Sequence, residues 1–305
     1  MAYGLQTYQD SSRKETILDV FQDATPKSTP LMTLFSTGTA KGTLDEFVED
    51  YQARSTDATG DVEGADTTFN DLTQPSRRNN ITQIISKDVK VSGTEREVDV
   101  VGGQDPMSYQ KGKQLTGLKL KWEYTIINST TKASGASGVA RTMGGILGII
   151  SSHLTNRDSG TSLSVQEIND VTADLFGDVG VENMYDLIVL PIKLKQKLGT
   201  LTTNITRVEE ATTKRLTFPV QVWESDGGEH RIIPHQDVPA AAATPGPSVL
   251  FLKESSWQVA YLRQPFFKPL ASQGDNEKGV WLSEGTLRFT AERSNERRTG
   301  YNTSG

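Results

Sequence analysis

Leu44-Asp45-Glu46-Phe47-Val48-Glu49-Asp50 and, further along, Asn80-Ile81-Thr82-Gln83-Ile84-Ile85-Ser86 decide how this chain is read. Leu44, Phe47, Val48 and Tyr51 suggest one strand. The stretch from Asn80 through Val91 is rich in β-branched residues and suggests the return strand of a long hairpin, about residues 41–85. Between them, Ser55 to Arg78 is polar and weakly apolar, a connection too long for a compact domain unless the loop itself has a role. Its charge is the strongest signal in the sequence. From Thr43 to Asp71 there are nine acids (Asp45, Glu46, Glu49, Asp50, Asp57, Asp61, Glu63, Asp66 and Asp71) against Arg54 alone, a net −8. The whole chain carries −6, so every other residue together sums to +2. Two readings fit: a solvated loop, or a segment shaped to lie against a basic surface, such as one on another copy.

Working outward, 305 residues amount to about two domains at ~150 residues each. The apolar fraction, 35%, falls below the usual ~45–50%, which favours thin or extended parts over one dense ball. No run of ~18 apolar residues exists to cross a membrane, and the longest oily stretch, Ile146 to Ile150, is broken by Gly148. The first residues lack a basic flank followed by an apolar block, so no secretory signal is expected. The Asn-x-Ser/Thr triplets at Asn80, Asn128, Asn204 and Asn302 then read as chance. Cysteine is absent, which excludes a disulfide scaffold, a Cys-ligated metal and thiol catalysis. The net negative charge argues against a nucleic-acid binder acting by bulk electrostatics.

The remaining pattern is mixed α+β. Residues 1–40 read as a polar arm with at most one helix, about Arg13 to Phe21, interrupted by Pro26 and Pro30. Asp105-Pro106 is a helix start, and Leu115, Leu118, Trp122 and Thr125 or Ile126 give an amphipathic helix to about residue 128. Lys111, Lys113, Lys119 and Lys121 are interspersed along it, and Gly112 and Gly117 each weaken it by ~1 kcal/mol relative to Ala. A small-residue loop follows over 129–145. Ser164-Val165-Gln166-Glu167 is a capping box for a helix with Ile168, Val171 and Leu175 on its apolar stripe and Gly177 at its end. Asp186 to Leu190 reads as a buried strand, and Pro191 opens a short helix to Leu198. Thr217–Trp223 and His230–Ile233 make a hairpin across Asp226-Gly227-Gly228. After a Pro/Ala-rich break at 239–247 come strands at Val249–Leu252, Trp257–Leu262 and Gly279–Thr290, and the tail from Arg297 is expected to be loose.

The inventory for catalysis is nearly empty. His153, His230 and His235 have no spacing that sets two imidazoles on one helix face for zinc, and they read as surface or cap residues. There is no Gly-x-Ser-x-Gly elbow and no Gly-x-x-x-x-Gly-Lys phosphate loop. Gly135-Ala136-Ser137-Gly138 reads as a connector. The loop carboxylates sit in open solvent, where nothing raises the pKa of a general acid. Trp122, Trp223, Trp257 and Trp281 fall one per element among apolar neighbours and read as core. Arg288, Arg293, Arg297 and Arg298, interrupted by Glu292 and Glu296, read as a solvated strand end. No catalytic residue, cofactor or metal site is expected.

The succession of segments resembles the major capsid proteins of tailed bacteriophages with the Hong Kong 97 fold. Thr29-Pro30-Leu31-Met32-Thr33-Leu34-Phe35 looks like the arm motif of one branch. Leu44 to Asp50 resembles its first hairpin strand, with Phe47 where Trp is more usual, and Asn80 to Thr94 its return strand. Lys121-Trp122-Glu123 resembles the end of the long helix, and Ala140 to Ser151 the link to the next domain. Trp257 to Pro265 and Glu284 to Arg288 resemble the closing strands. The likeness runs from about Arg13 to Glu292 and is loose over about 200–245. It implies an N-terminal arm (1–40), an extended loop (41–85), a peripheral domain (86–145 and 253–305) with a spine helix about 105–128, and an axial domain (146–252). It also implies a structural subunit that self-assembles into hexamers and pentamers of an icosahedral virion shell, built in the host cytoplasm around double-stranded DNA that it contacts weakly. A portal protein at one vertex is an implied partner, scaffolding or decoration proteins optional ones, and no membrane is involved. An encapsulin-like nanocompartment shell is the alternative within the same fold, and a hydrolase using the loop carboxylates the alternative from another class. Asp57, Asp61, Glu63 and Asp66 on the loop, and Lys111, Lys113, Lys119 and Lys121 on the helix, are the expected contacts between subunits.

Overall fold

The computed structural model describes residues 28–60, 62–64, 66, 72–98, 105–156, 161–200, 205–206, 221–225, 227–239 and 246–302. The expected arm helix at Arg13–Phe21 and the strand start at Thr217 lie outside them. In chain order the elements are α1 (Pro30–Leu34), β1 (Ser36–Thr39), β2 (Leu44–Glu49), β3 (Ser76–Ile81), β4 (Gln83–Ser92), α2 (Gly93–Glu97), α3 (Pro106–Asn128) and α4 (Ile146–Ile149). There follow β5 (Leu154–Asn156), α5 (Val165–Val179), β6 (Leu187–Leu190), α6 (Ile192–Thr200), β7 (Ile205–Thr206), β8 (Gln221–Ser225) and β9 (Gly228–Pro234). The chain closes with β10 (Ser248–Leu252), β11 (Trp257–Leu270), β12 (Asn276–Phe289) and β13 (Glu296–Thr299).

Local chemistry explains the two long helices. The Asp105 carboxylate accepts the Ser108 N–H at 2.8 Å, with Pro106 in the first turn, and α3 buries Leu118, Trp122 and Ile126 along one face. Ser164 Oγ accepts the Glu167 N–H at 3.3 Å and starts α5, as the capping box requires. Gly177 does not end α5. It sits within the helix, and Gly180 ends it because that residue adopts φ +74°, where a side chain would be strained.

Among the described residues, three sheets result. One has the order β1-β11-β12-β4, with β1 parallel to β11 and the other pairs antiparallel. A seven-stranded sheet has the order β5-β13-β10-β6-β9-β8-β7, and β2 and β3 form a two-stranded sheet. β6 and β10, central in the seven-stranded sheet, are buried on both faces, so their apolar runs do not alternate. Leu187, Val189, Leu250 and Leu252 face a core shared with Leu118, Trp122, Ile126, Trp257 and Phe289. Ile188, Leu190 and Phe251 face a second core with Ile168, Val171, Leu175, Leu194 and Trp223. The tryptophans are core residues, with Trp281 half-buried and its indole N–H donated to the Lys111 carbonyl.

Several sequence expectations need correction. The return strand is two strands: β3 pairs with β2, and from Gln83 onward the chain enters another sheet as β4, beside β12. The switch is held by Asn80, whose side chain donates to the Gly144 and Leu287 carbonyls and accepts the Gly144 N–H. The tail is not loose over its described residues, 297–302. β13 is buried along its length, parallel to β5 and antiparallel to β10. Arg297 and Arg298 are therefore buried rather than solvated. Arg298 reaches Glu296 at 2.6 Å, Glu167 at 3.0 Å and Asp174 at 3.1 Å. His230 and His235 are buried too, His230 stacked 4.1 Å from the Tyr185 ring.

Candidate functional site

The acidic hairpin is anchored by its own charges. In β2 the apolar Leu44 and Val48 face solvent, whereas Asp45, Phe47 and Glu49 face inward. Asp45 takes two hydrogen bonds from Arg288, at 2.7 and 2.8 Å. Glu49 accepts Arg78 Nε at 2.9 Å and the Glu292 N–H at 2.6 Å. Glu292 in turn accepts the Ser151 and Ser152 N–H groups at 2.6 and 2.8 Å. Burial pushes the Glu292 carboxyl up, but these donors and the two serine hydroxyls outweigh it and hold it below its ordinary range. Just beyond β2, the Tyr51 hydroxyl donates to Asp178 at the end of α5, with Arg293 4.1 Å over its ring. His153 and Arg293 also bond Asp178, at 3.0 and 3.2 Å. Burial opposes ionisation of Asp178, and these three donors prevail, so its pKa is lowered.

Beyond this anchored base the loop projects. Residues 52–60, 62–64, 66 and 72–75 are exposed. Asp57 accepts the Thr59 N–H at 2.8 Å in a local turn, Glu63 and Asp66 stand in solvent, and Asp61 lies outside the described residues. From Asp50 to Asp71 the sequence has six acids and one base, a net −5 that is left after Asp45, Glu46 and Glu49 have found arginines.

The helix lysines are not equivalent. Lys111 sits 4.8 Å from the Phe267 ring centroid and 4.0 Å from a Glu277 oxygen, and Lys121 reaches toward the Ser86 carbonyl. Lys113 and Lys119 are exposed. Among the described residues no ion pair joins a loop acid to a helix lysine, so within one subunit the two expected groups are not brought together.

Two features had no signal in the sequence. Glu123, fully buried in α3, accepts the Leu31 N–H at 2.7 Å, the Met32 N–H at 2.9 Å and His235 Nε2 at 2.8 Å. Nearby Asp237 is raised by burial, with the Glu123 charge adding to that and His235 opposing it. The other is a cleft beside β3, rimmed by Arg77 and Lys132. Among the described residues, no group of three or more His, Asp or Glu is placed to hold a metal ion, and no helix is long and apolar enough to cross a membrane.

A long helix packed under a four-stranded sheet, a projecting two-stranded hairpin and a second sheet with its own helices define the Hong Kong 97 class of shell protein. The cyanophage A-1(L) capsid shares this fold at a TM-score of 0.64 and 11% identity, covering 97% of this chain and 99% of that one. The capsid of Myoviridae phage XM1 gives 0.62 at 12% identity, over 94% of this chain and 96% of the other. The SrpI encapsulin complex of Synechococcus elongatus gives 0.62 at 10% identity, over 96% and 94%. No curated protein matches the chain by sequence. The chain belongs to the SU10 major capsid protein family, which it matches over residues 3–301. It is a structural subunit of a phage capsid, and its place is the virion.

Proposed function

We propose that the protein closes into an icosahedral head of hexamers and pentamers around packaged double-stranded DNA, acting as a wall and not as a catalyst. The match to a capsid family over nearly the whole chain is the observation that carries this. The family match also favours a phage head over a nanocompartment, although an encapsulin shares the fold. The reading divides the chain into an arm, the extended loop, a peripheral part around α3 and an axial part around the seven-stranded sheet. A portal protein occupies one vertex, and scaffolding or decoration proteins are compatible additions. DNA is held by enclosure, because a chain at −6 without a dense Lys/Arg stripe offers little phosphate neutralisation.

In this reading the loop reaches across to a second copy. Asp57, Asp61, Glu63 and Asp66 then face a basic surface, of which Lys111, Lys113, Lys119 and Lys121 form one part. Each exposed pair contributes only ~0–1 kcal/mol and is screened by salt, so the effect lies in repetition over many subunits. Negative-stain microscopy of the expressed protein tests the assembly: closed shells are expected. A protein that stays monomeric under all assembly conditions and is absent from purified particles overturns the proposal.

A further inference from the structure

The cleft beside β3 measures about 470 Å³, and its lining includes Arg77, Asn79, Thr131, Lys132, Ile149 and Phe289. That volume lies within the ~300–1,000 Å³ usual for binding pockets. Among the described residues, no Asp or Glu lines it. Arg78, also in the wall, is already engaged by Glu49 and Glu292. Arg77 is exposed, and its ion pair with Glu46 at 3.6 Å is too long for a hydrogen bond and is screened by solvent, so most of its charge stays on the rim. Lys132 Nζ bonds the Asn79 side-chain oxygen at 2.7 Å and its carbonyl at 3.3 Å, both neutral acceptors. The rim is therefore cationic, and Ile149 and Phe289 make part of the wall apolar.

We propose that this cleft seats the tip of the acidic loop from a second copy, with Val62 against Ile149 and Phe289 and with Glu63 and Asp66 against Arg77 and Lys132. The inference rests on the reading that the loop reaches between subunits, and it names the seat. The loop supplies the complementary chemistry. Val62 and Leu72 are 76% and 84% exposed, more than any other large apolar side chain described. Gly64, at φ +79°, turns the chain immediately after Glu63, so Val62 stands beside a carboxylate at a turn. An apolar knob flanked by acids fits an apolar wall with a basic rim, whereas a nucleic-acid backbone would use only the rim. Among the described residues of the subunit's own loop, 52–60, 62–64 and 66 are exposed and none of them fills the cleft.

The absence of cysteine makes the test clean, because introduced thiols report only the designed contact. A tagged Val62→Cys variant is mixed with an untagged Thr131→Cys variant, assembled and mildly oxidised. Mass-resolved mixed dimers are expected in shells and not in free subunits. In parallel, Arg77→Glu with Lys132→Glu, or Glu63→Lys with Asp66→Lys, each raises the threshold concentration for shell formation about ten-fold, and combining all four restores it to within about three-fold. If no mixed dimer forms while the loop still becomes protease-resistant in shells, the cleft is the wrong seat although the loop does reach a neighbour. If the loop gains no protection, the underlying reading fails as well. A cross-link that forms only when both cysteines share one chain overturns the proposal. So does a cleft reversal that abolishes DNA retention but spares assembly, since that would mark a nucleic-acid site.

Discussion

Glu123 replaces a missing helix cap. Thr29 precedes α1 but its side chain caps nothing, and the N–H groups of Leu31 and Met32 are taken instead by a carboxylate far along the chain on α3. The third donor is His235. Its Nδ1 accepts the Asp237 N–H at 3.0 Å, so its proton sits on Nε2 and points at Glu123. Glu123→Gln keeps the shape but turns one acceptor into an NH₂ that must face a buried donor, at a cost of about 1–3 kcal/mol. Glu123→Ala leaves all three donors without a partner and is expected to cost about 3–5 kcal/mol. The loss concentrates at the arm, so amide hydrogen exchange at Leu31 and Met32 is the sensitive assay. A 2 kcal/mol loss speeds exchange there about thirty-fold, and the urea midpoint falls with it. Wild-type exchange at both amides together with an unchanged midpoint in Glu123→Gln would refute the argument that this carboxylate holds the arm.

Other expectations follow from the same contacts. A Cβ at Gly145 would lie 2.6 Å from the Ile126 carbonyl oxygen and 2.7 Å from that of Thr125, so Gly145→Ala should cost about 1–3 kcal/mol of stability and lower the urea midpoint accordingly. An unchanged midpoint would mean that the connector after α3 can move aside. Deleting residues 296–305 removes β13 and should leave a chain without cooperative unfolding in circular dichroism, while Arg298→Ala should cost about 3–5 kcal/mol by stranding Glu296. Glu292 and Asp178 have folded pKa values below their unfolded ones, so their stabilisation is present above the ordinary carboxylate range and is lost as pH falls through the folded values. Stability measured from about pH 6 down to pH 3 should decline, and Glu292→Gln should flatten that limb; an identical slope in the variant would count against it. Joint charge reversal of Asp57, Asp61 and Glu63 should weaken assembly and leave the subunit fold intact, with the wild-type loop cut by protease in free subunits and protected in shells. Equal cleavage rates in the two states would sink that expectation.

What the sequence makes legible is local. The Asp105-Pro106 start, the 118/122/126 stripe and the Ser164 capping box are each written within a few residues, and α3 and α5 appear where they point. The acidic hairpin is legible as charge, but its inward face is not. Phe47 faces inward, and the two-residue alternation of the strand takes Asp45 and Glu49 with it, which Arg288 and Arg78 then pair, while Leu44 and Val48 are left in solvent. The partners lie 243 residues apart for Asp45 and Arg288, a relation no local window holds. The same reason hides Arg298, which reads as a solvated strand end until Glu167 and Asp174 come to it from α5. His235 is likewise unremarkable in sequence and gains its role only through Glu123. The candidate contact residues were legible as two clusters of opposite sign. The cleft was not, because its lining is drawn from β3, the connector after α3 and the end of β12.

The parallel pairing of β1 with β11 has a temporal side. Ser36 sits opposite Gln258, so β1 waits on the ribosome for a strand made 222 residues later. At roughly 5–20 residues per second, that interval is on the order of ten to forty seconds on the ribosome. During it, β1 has no strand to pair with and the four-stranded sheet cannot close, whatever the α3 helix has already done. Topology of this kind makes folding slow and late. Until β11 has been made, the four-stranded sheet has no finished edge at β1, and that part of the subunit cannot take its final form.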